Sequence, residues 1–166
     1  MASVNPIPKG MHTVTPSLVL RDCAKAIDFY TRALGAQEAA RMMSPDGKSV
    51  WHAELKVGDS AVFMNDEMPG MSQHAPEAAS PVPVTMWLYV PDCDVAFQRA
   101  VKAGAKEMAP PTDMFWGDRC AGVADPFGYV WTFATRQKEL TRDEMMRAGE
   151  EFARKMGQQQ QQGARR

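Results

Sequence analysis

This chain is short of histidine, of cysteine and of net charge. Its 166 residues carry 19 Lys and Arg against 20 Asp and Glu, a formal charge of −1. Such a balance offers no basic footprint for nucleic acid. The three cysteines, Cys23, Cys93 and Cys120, are odd in number and have no metal-ligand spacing, so reduced thiols in the cytoplasm are expected. The opening residues Met1-Ala2-Ser3-Val4-Asn5-Pro6-Ile7-Pro8 lack the apolar stretch of a signal peptide. No apolar run is long enough to cross a bilayer, so no membrane partner is expected. A glycine-rich phosphate loop and a Ser nucleophile elbow are both missing, which removes the commonest nucleotide-binding and hydrolase readings.

What the chain does have is a long internal repeat. Ser17-Leu18-Val19-Leu20-Arg21-Asp22-Cys23 is answered by Trp87-Leu88-Tyr89-Val90-Pro91-Asp92-Cys93, an offset of 92 − 22 = 70 residues. Each copy runs into a helical pattern ending in Gly-Ala, at Gly35-Ala36 and Gly104-Ala105, and closes on an apolar strand, at residues 60–64 and 129–133. One supersecondary module is therefore used twice, and the concavity between the copies is the expected place for a site.

Within the first module, Asp22 is a helix N-cap and Gly35 its stop, with Cys23, Ile27, Tyr30 and Leu34 on one helix face. Pro45-Asp46-Gly47 makes a turn, and residues 50–57 and 60–65 form a hairpin around Gly58-Asp59. Such a two-residue turn sets Leu55 opposite Val62 and Ala53 opposite Met64. Trp51, Ala53 and Leu55 are then expected in the cup with Met64, and His52 and Glu54 on the other face, unless a bulge intervenes. The second module reads strand, Asp92 cap, helix, Gly104, strand, a break at Pro110-Pro111, a strand over residues 114–124, the turn Asp125-Pro126-Phe127-Gly128 and a last strand. The expected layout is a leader arm (1–11), one domain (12–136, modules 12–66 and 84–136, linker 67–83), and a tail (137–166). Thr141-Arg142-Asp143-Glu144 opens a tail helix as a capping box. Met145, Met146, Ala148, Phe152 and Met156 stripe that helix, and the Gln158–Gln162 run reads as disordered.

Two βαβββ modules, the helix Ala26-Ile27-Asp28-Phe29-Tyr30 followed by Leu34-Gly35-Ala36, and Asp125-Pro126-Phe127-Gly128-Tyr129 before the last strand resemble the vicinal oxygen chelate superfamily over about residues 12–136. That superfamily includes glyoxalase I, extradiol dioxygenases, fosfomycin-resistance proteins and bleomycin-binding proteins. Trp51-His52-Ala53-Glu54-Leu55 and Phe115-Trp116-Gly117-Asp118-Arg119 look like its PhnB-like branch. The resemblance implies an α+β fold in which eight strands curve into a cup around a ligand, and a homodimer, sometimes with modules paired across chains.

It also implies where a metal would sit. Metal-dependent members take one ligand from the first and one from the last strand of each module, and the matching positions here are Thr15, Met64, Thr85 and Thr132. Hydroxyls and a thioether replace the water of a divalent cation poorly, so no metal or other cofactor is expected. With 13 methionines and four tryptophans in the chain, the expected pocket is apolar and suited to a small organic molecule. Its candidate lining is Thr15, Met64, Thr85, Trp87, Phe115, Trp116 and Thr132. A drug- or natural-product-binding role, as in the bleomycin-binding members, follows. The alternative is a metal-dependent lyase, isomerase or dioxygenase with a displaced site, for which His52 and Glu54 are the candidate catalytic residues. A third reading is a dimeric scaffold that uses the tail helix. His12 and His74 read as solvent-exposed.

Overall fold

A computed structural model describes residues 5–77 and 82–163. The first module is β1 (Ser17–Leu20), α1 (Cys23–Leu34), β2 (Gln37–Met43), β3 (Val50–Val57) and β4 (Ser60–Asp66). The second is β5 (Thr85–Tyr89), α2 (Cys93–Ala103), β6 (Lys106–Asp113), β7 (Asp118–Ala124) and β8 (Val130–Arg136). A third helix, α3 (Arg142–Gly163), ends the described chain. The strands divide into two four-stranded sheets, β1-β4-β3-β2 and β5-β8-β7-β6, each with its first strand parallel to its last. This is the expected α+β fold of paired βαβββ modules with a C-terminal helix.

Local chemistry sets the helix limits. The carboxylates of Asp22 and Asp92 accept the backbone N–H of Lys25 and Val95, at 3.0 and 2.9 Å, and so satisfy donors the first turn cannot. Gly35 and Gly104 close the helices at φ 71° and 114°, a left-handed conformation that a Cβ disfavours. Thr141 and Glu144 cap α3 reciprocally: the Thr141 N–H donates to Glu144 Oε2 at 2.8 Å and the Glu144 N–H to Thr141 Oγ1 at 3.3 Å.

Three sequence expectations are corrected. Lys106–Asp113 runs as one strand through Pro110-Pro111, because β6 is the sheet edge and an edge strand can lack donors, with the register shifting between Ala109 and Thr112. The strand expected over 114–124 begins only at Asp118, since Met114 to Gly117 form a turn, Gly117 N–H donating to Met114 O at 3.0 Å. The glutamine run, expected to be disordered, continues α3 to Gly163, consistent with the good helix propensity of glutamine.

The two modules pack helix side to helix side. Leu18, Leu20, Ala53, Leu55, Val62 and Met64 from the first sheet join Ala121, Val123, Trp131 and Phe133 from the second in one buried core with α1 and α2. The modules share this core, and a crevice bordered by residues of both remains beside it. Tyr30 of α1 crosses into the second module: its ring lies 5.2 Å from that of Trp131, and its hydroxyl donates to Asp125 Oδ2 at 2.6 Å. Asp125 also accepts from Trp131 Nε1 (2.8 Å) and from the backbone N–H of Phe127 and Tyr129 (2.9 Å each). Tyr129 Oη in turn bonds both the N–H and the C=O of Val19 on β1, at 3.0 and 2.9 Å.

Removing the Asp125 carboxyl orphans two buried side-chain donors. Asp125→Ala is expected to cost about 3 kcal/mol or more, and Tyr30→Phe about 1–2 kcal/mol, read as shifts of the urea midpoint. The alkaline limb of stability tests the same core. Burial, together with Asp125, raises Tyr30 well above its ordinary value. Burial also raises Tyr129 and pushes Cys23 and Cys93 up to about 12 and about 11. The folded state therefore holds these protons where the unfolded chain releases them. Stability should be complete below roughly pH 8.5 and decline as pH rises toward 12. A flat profile across that range in pH-dependent urea melts contradicts this.

Candidate functional site

Since the helical faces meet each other, the opposite face of each sheet is open. On the second sheet, Trp87 pairs with Thr132 and Tyr89 with Ala134. Thr85, Trp87, Tyr89 and Thr132 therefore share the open face. Trp87 is 47% exposed and Tyr89 62%, high for aromatic side chains. Trp131 and Phe133 alternate with Thr132 and point into the core.

One buried carboxylate organises this face. Asp118 accepts from Tyr89 Oη at 2.9 Å, from Trp116 Nε1 at 3.1 Å and from Arg136 Nε. Burial alone would raise its pKa, but the bonds from Arg136, Tyr89 and Trp116 hold it below the ordinary carboxylate value. Phe115 stands edge-on to Trp116 with centroids 5.0 Å apart and meets Phe152 of α3 at 5.3 Å. The tail helix thus touches the rim of the open face through its apolar stripe. Tyr89 and Arg136 escaped the sequence reading. Tyr89 follows Trp87 by two residues on the same strand face, and β7–β8 pairing sets Arg136 opposite Asp118, so both were within reach of a register argument. Arg119, next in the chain, does not pair with Asp118: it clamps Asp94 on α2 (2.5 and 2.8 Å) and Asp113 (2.8 Å).

On the first sheet the expected pairing holds, Leu55 with Val62 and Ala53 with Met64, but the faces are reversed. Met64 is fully buried among core residues on the side covered by α1, with Ala53 and Leu55. It lines no pocket. His52 and Glu54 occupy the open face with Phe63. His52 Nε2 lies 3.4 Å from Glu54 Oε1, and the imidazole is T-stacked on Phe63 at 5.0 Å. Met42 pairs with His52 but Met43 with Val50. The extra residue, Trp51, bulges out of the ladder, and its side chain is 42% exposed.

The register also corrects one metal position. Trp87 opposes Thr132 as Ser17 opposes Phe63, so the repeat counterpart of Thr132 is Phe63 and not Met64. Thr15, Thr85, Phe63 and Thr132 do not fit a divalent cation, because three hydroxyls and a phenyl ring supply neither charge nor imidazole. Among the described residues, no group of three or more His, Cys, Asp or Glu could hold a metal ion. Of the candidate lining residues, Trp87, Trp116, Thr85 and Thr132 belong to the open face of the second sheet, with Phe115 at its rim. Thr15 precedes β1 and, with Thr85 and Trp87, borders a crevice between the modules.

The model of the Glyoxalase/Bleomycin resistance protein/Dioxygenase superfamily matches residues 10–133. The chain belongs to that superfamily. It is 41% identical over 138 residues to uncharacterized proteins of Mycobacterium bovis and Mycobacterium tuberculosis, covering 81% of this chain and 90% and 81% of theirs. Among solved structures it is similar to TioX from a Micromonospora species (26% identity, TM-score 0.60, 75% of this chain and 98% of that one). A PhnB protein from Bacillus cereus shares the fold (11% identity, TM-score 0.58, 75% of this chain and 99% of that one). The α3 helix lies beyond the matched superfamily segment. Among the described residues, no helix is long and apolar enough to cross a membrane.

The Asp118 cluster makes an acid-limb prediction. A depressed carboxylate stabilises the fold at pH above its unfolded value of about 4, and that stability is lost as pH falls through the lower folded value. Asp118→Asn should flatten the decline of stability below about pH 4 and shift tryptophan emission through Trp116. An unchanged acid limb in pH-dependent melts refutes the assignment.

Proposed function

We propose that this member of the superfamily binds a small, largely planar organic molecule without a metal, on the open sheet faces, and that two copies of the chain together complete the cup. The observation that carries the reading is the exposed pair Trp87 and Tyr89 beside Thr85 and Thr132. Aromatic faces left in water next to hydroxyls suit stacking on a flat ligand whose polar groups the threonines orient. Asp118 fixes Tyr89 and Trp116 from behind, so the surface is ordered before a ligand arrives. A dimer would bring the His52 and Phe63 face of one copy toward such a surface on the other. In this reading the chain is a cytoplasmic homodimer, and the family's drug- and natural-product-binding members are its functional model.

Bleomycin and a panel of flat polycyclic aromatics provide the test, by quenching of tryptophan fluorescence. Binding should persist in EDTA, and Trp87→Ala should weaken it at least tenfold while changing stability by no more than about 0.5 kcal/mol. Binding that requires added metal, or that ignores Trp87→Ala, overturns the reading.

The second reading is a lyase, isomerase or dioxygenase of glyoxalase type, favoured by one observation, the His52–Glu54 contact on the open face of the first sheet. An imidazole beside a carboxylate can serve as an acid–base pair or as two ligands of a displaced metal. Stoichiometric nickel, zinc, manganese or iron in the purified protein, lost in His52→Ala, would select it.

A further inference from the structure

The two modules meet at two junctions related by the internal repeat, and only one is filled. At the first, Phe29 and Tyr30 of α1 pack on Phe127 with ring centroids 5.7 and 6.0 Å away. The five-residue turn between β7 and β8 delivers Tyr129 to the free edge of β1. Shifted by 70 residues, the counterparts of Phe29 and Tyr30 are Arg99 and Ala100. The counterpart of the long turn is Gly58-Asp59, only two residues between β3 and β4. Neither element reaches far enough to fill the second junction. A crevice of about 930 Å³ remains there, beside the free edge of β5.

Its walls are apolar: Met86, Leu88 and Phe133 from the second sheet, Val57 and Val62 from the hairpin, and Val95 from α2. Arg99 lies on one side. It donates from Nε to Ala33 O at 3.0 Å and from Nη2 to Leu34 O at 3.1 Å, which pins the guanidinium to the C-terminal end of α1. Among the described residues it has no carboxylate within ion-pairing distance. Two acids also border the crevice. Asp92 caps α2 and Asp59 accepts from Ser60 Oγ at 3.0 Å. Asp92 sits seven residues from Arg99 on the same helix, on the order of 10 Å away at 1.5 Å per residue.

We propose that this crevice, which adjoins the open face of the second sheet along Thr85, Trp87 and Tyr89 of the β5 edge, is itself a binding site for an amphipathic monoanion: a long apolar body lying between the modules and a single carboxylate at Arg99. The size is that of a small-molecule pocket. A cation held rigidly without an acidic partner is complementary to one anionic head. Asp92, on the order of 10 Å along α2 from Arg99, repels a second negative group, and Asp59 adds negative charge to the same crevice, so a dicarboxylate of equal length binds worse.

Calorimetric titration of the full chain with decanoate, decanedioate, decan-1-ol and decylammonium tests this. The expected result is one site for decanoate, at least tenfold weaker binding of the other three, and at least a tenfold loss for decanoate in Arg99→Gln. Val95→Trp places a bulky side chain in the crevice from a position that is itself exposed, and should abolish decanoate binding while circular dichroism stays unchanged. Decanedioate, decanol or decylammonium binding as tightly as decanoate overturns the proposal. So does decanoate binding that survives Val95→Trp, or no binding of decanoate at all. Val95 and Trp87 border the same crevice, so Arg99→Gln is the variant that separates the two readings: it removes only the contact to the anionic head, and bleomycin quenching through Trp87 should be retained in it. The failure of one site is therefore distinguishable from the failure of the other.

Discussion

The arrangement of this molecule rests on the Asp125 carboxyl. A buried carboxyl is costly unless its lone pairs are filled, and here four donors fill them: Tyr30 Oη, Trp131 Nε1 and the backbone of Phe127 and Tyr129. Among the described residues, no cation takes part. One of the donors comes from the other module, so the interaction that satisfies the turn also joins the two halves. Tyr129, oriented by the same turn, then seals the outward N–H and C=O of Val19, groups that an edge strand would otherwise leave to water or to another chain. Packing helix side to helix side follows from this geometry, and with it the exposure of both opposite sheet faces.

The repeat is a duplication in topology but not in chemistry. The Asp125 turn has no partner at Gly58-Asp59, and the Phe29-Tyr30 pair has none at Arg99-Ala100. Each difference removes volume from the same junction, and together they turn what is a sealed contact in one half into open space in the other. The β5 edge consequently lacks what β1 has. Val90 N–H bonds Ala134 O across the ladder at 2.8 Å, so alternation turns the main-chain groups of Trp87 and Tyr89 outward. Among the described residues nothing takes the place of Tyr129 beside them.

Most of the architecture was legible because it is written in local chemistry. Asp22 and Asp92 cap, Gly35 and Gly104 stop, and Gly58-Asp59 turns, and each of these acts within a few residues of itself. The hairpin pairing of Ala53 with Met64 was legible for the same reason. Which face of that hairpin meets the core was not, because period-two alternation defines two faces without labelling them. The label comes from α1, whose Ala26, Ile27 and Tyr30 cover one side, and that is tertiary information. The Trp51 bulge was invisible because it depends on β2 pairing out of step. The Asp118–Arg136 bond spans 18 residues and two strands, and neither residue signals the other without the β7–β8 register. The glutamine run misled for a different reason: low complexity suggests disorder, yet glutamine itself favours the helix that Thr141 and Glu144 start.

The corrected register sharpens the chemical argument about metals. Counting from the repeat alone reaches Met64, whose thioether is a soft ligand and at least conceivable for some ions. Pairing geometry moves the position to Phe63, whose ring donates nothing and is already engaged edge-on by His52. The first module therefore offers a phenyl group on its last strand, and a hydroxyl just before its first, where relatives of the metal-dependent kind place charge or imidazole. The imidazole that the first sheet does present, His52, stands one strand away on β3, paired with Glu54. Among the described residues no third His, Cys, Asp or Glu joins them in a group that could hold a metal ion. The open face of the second sheet thus presents aromatic surfaces and threonine hydroxyls, with Tyr89 and Trp116 held by the buried Asp118 carboxylate.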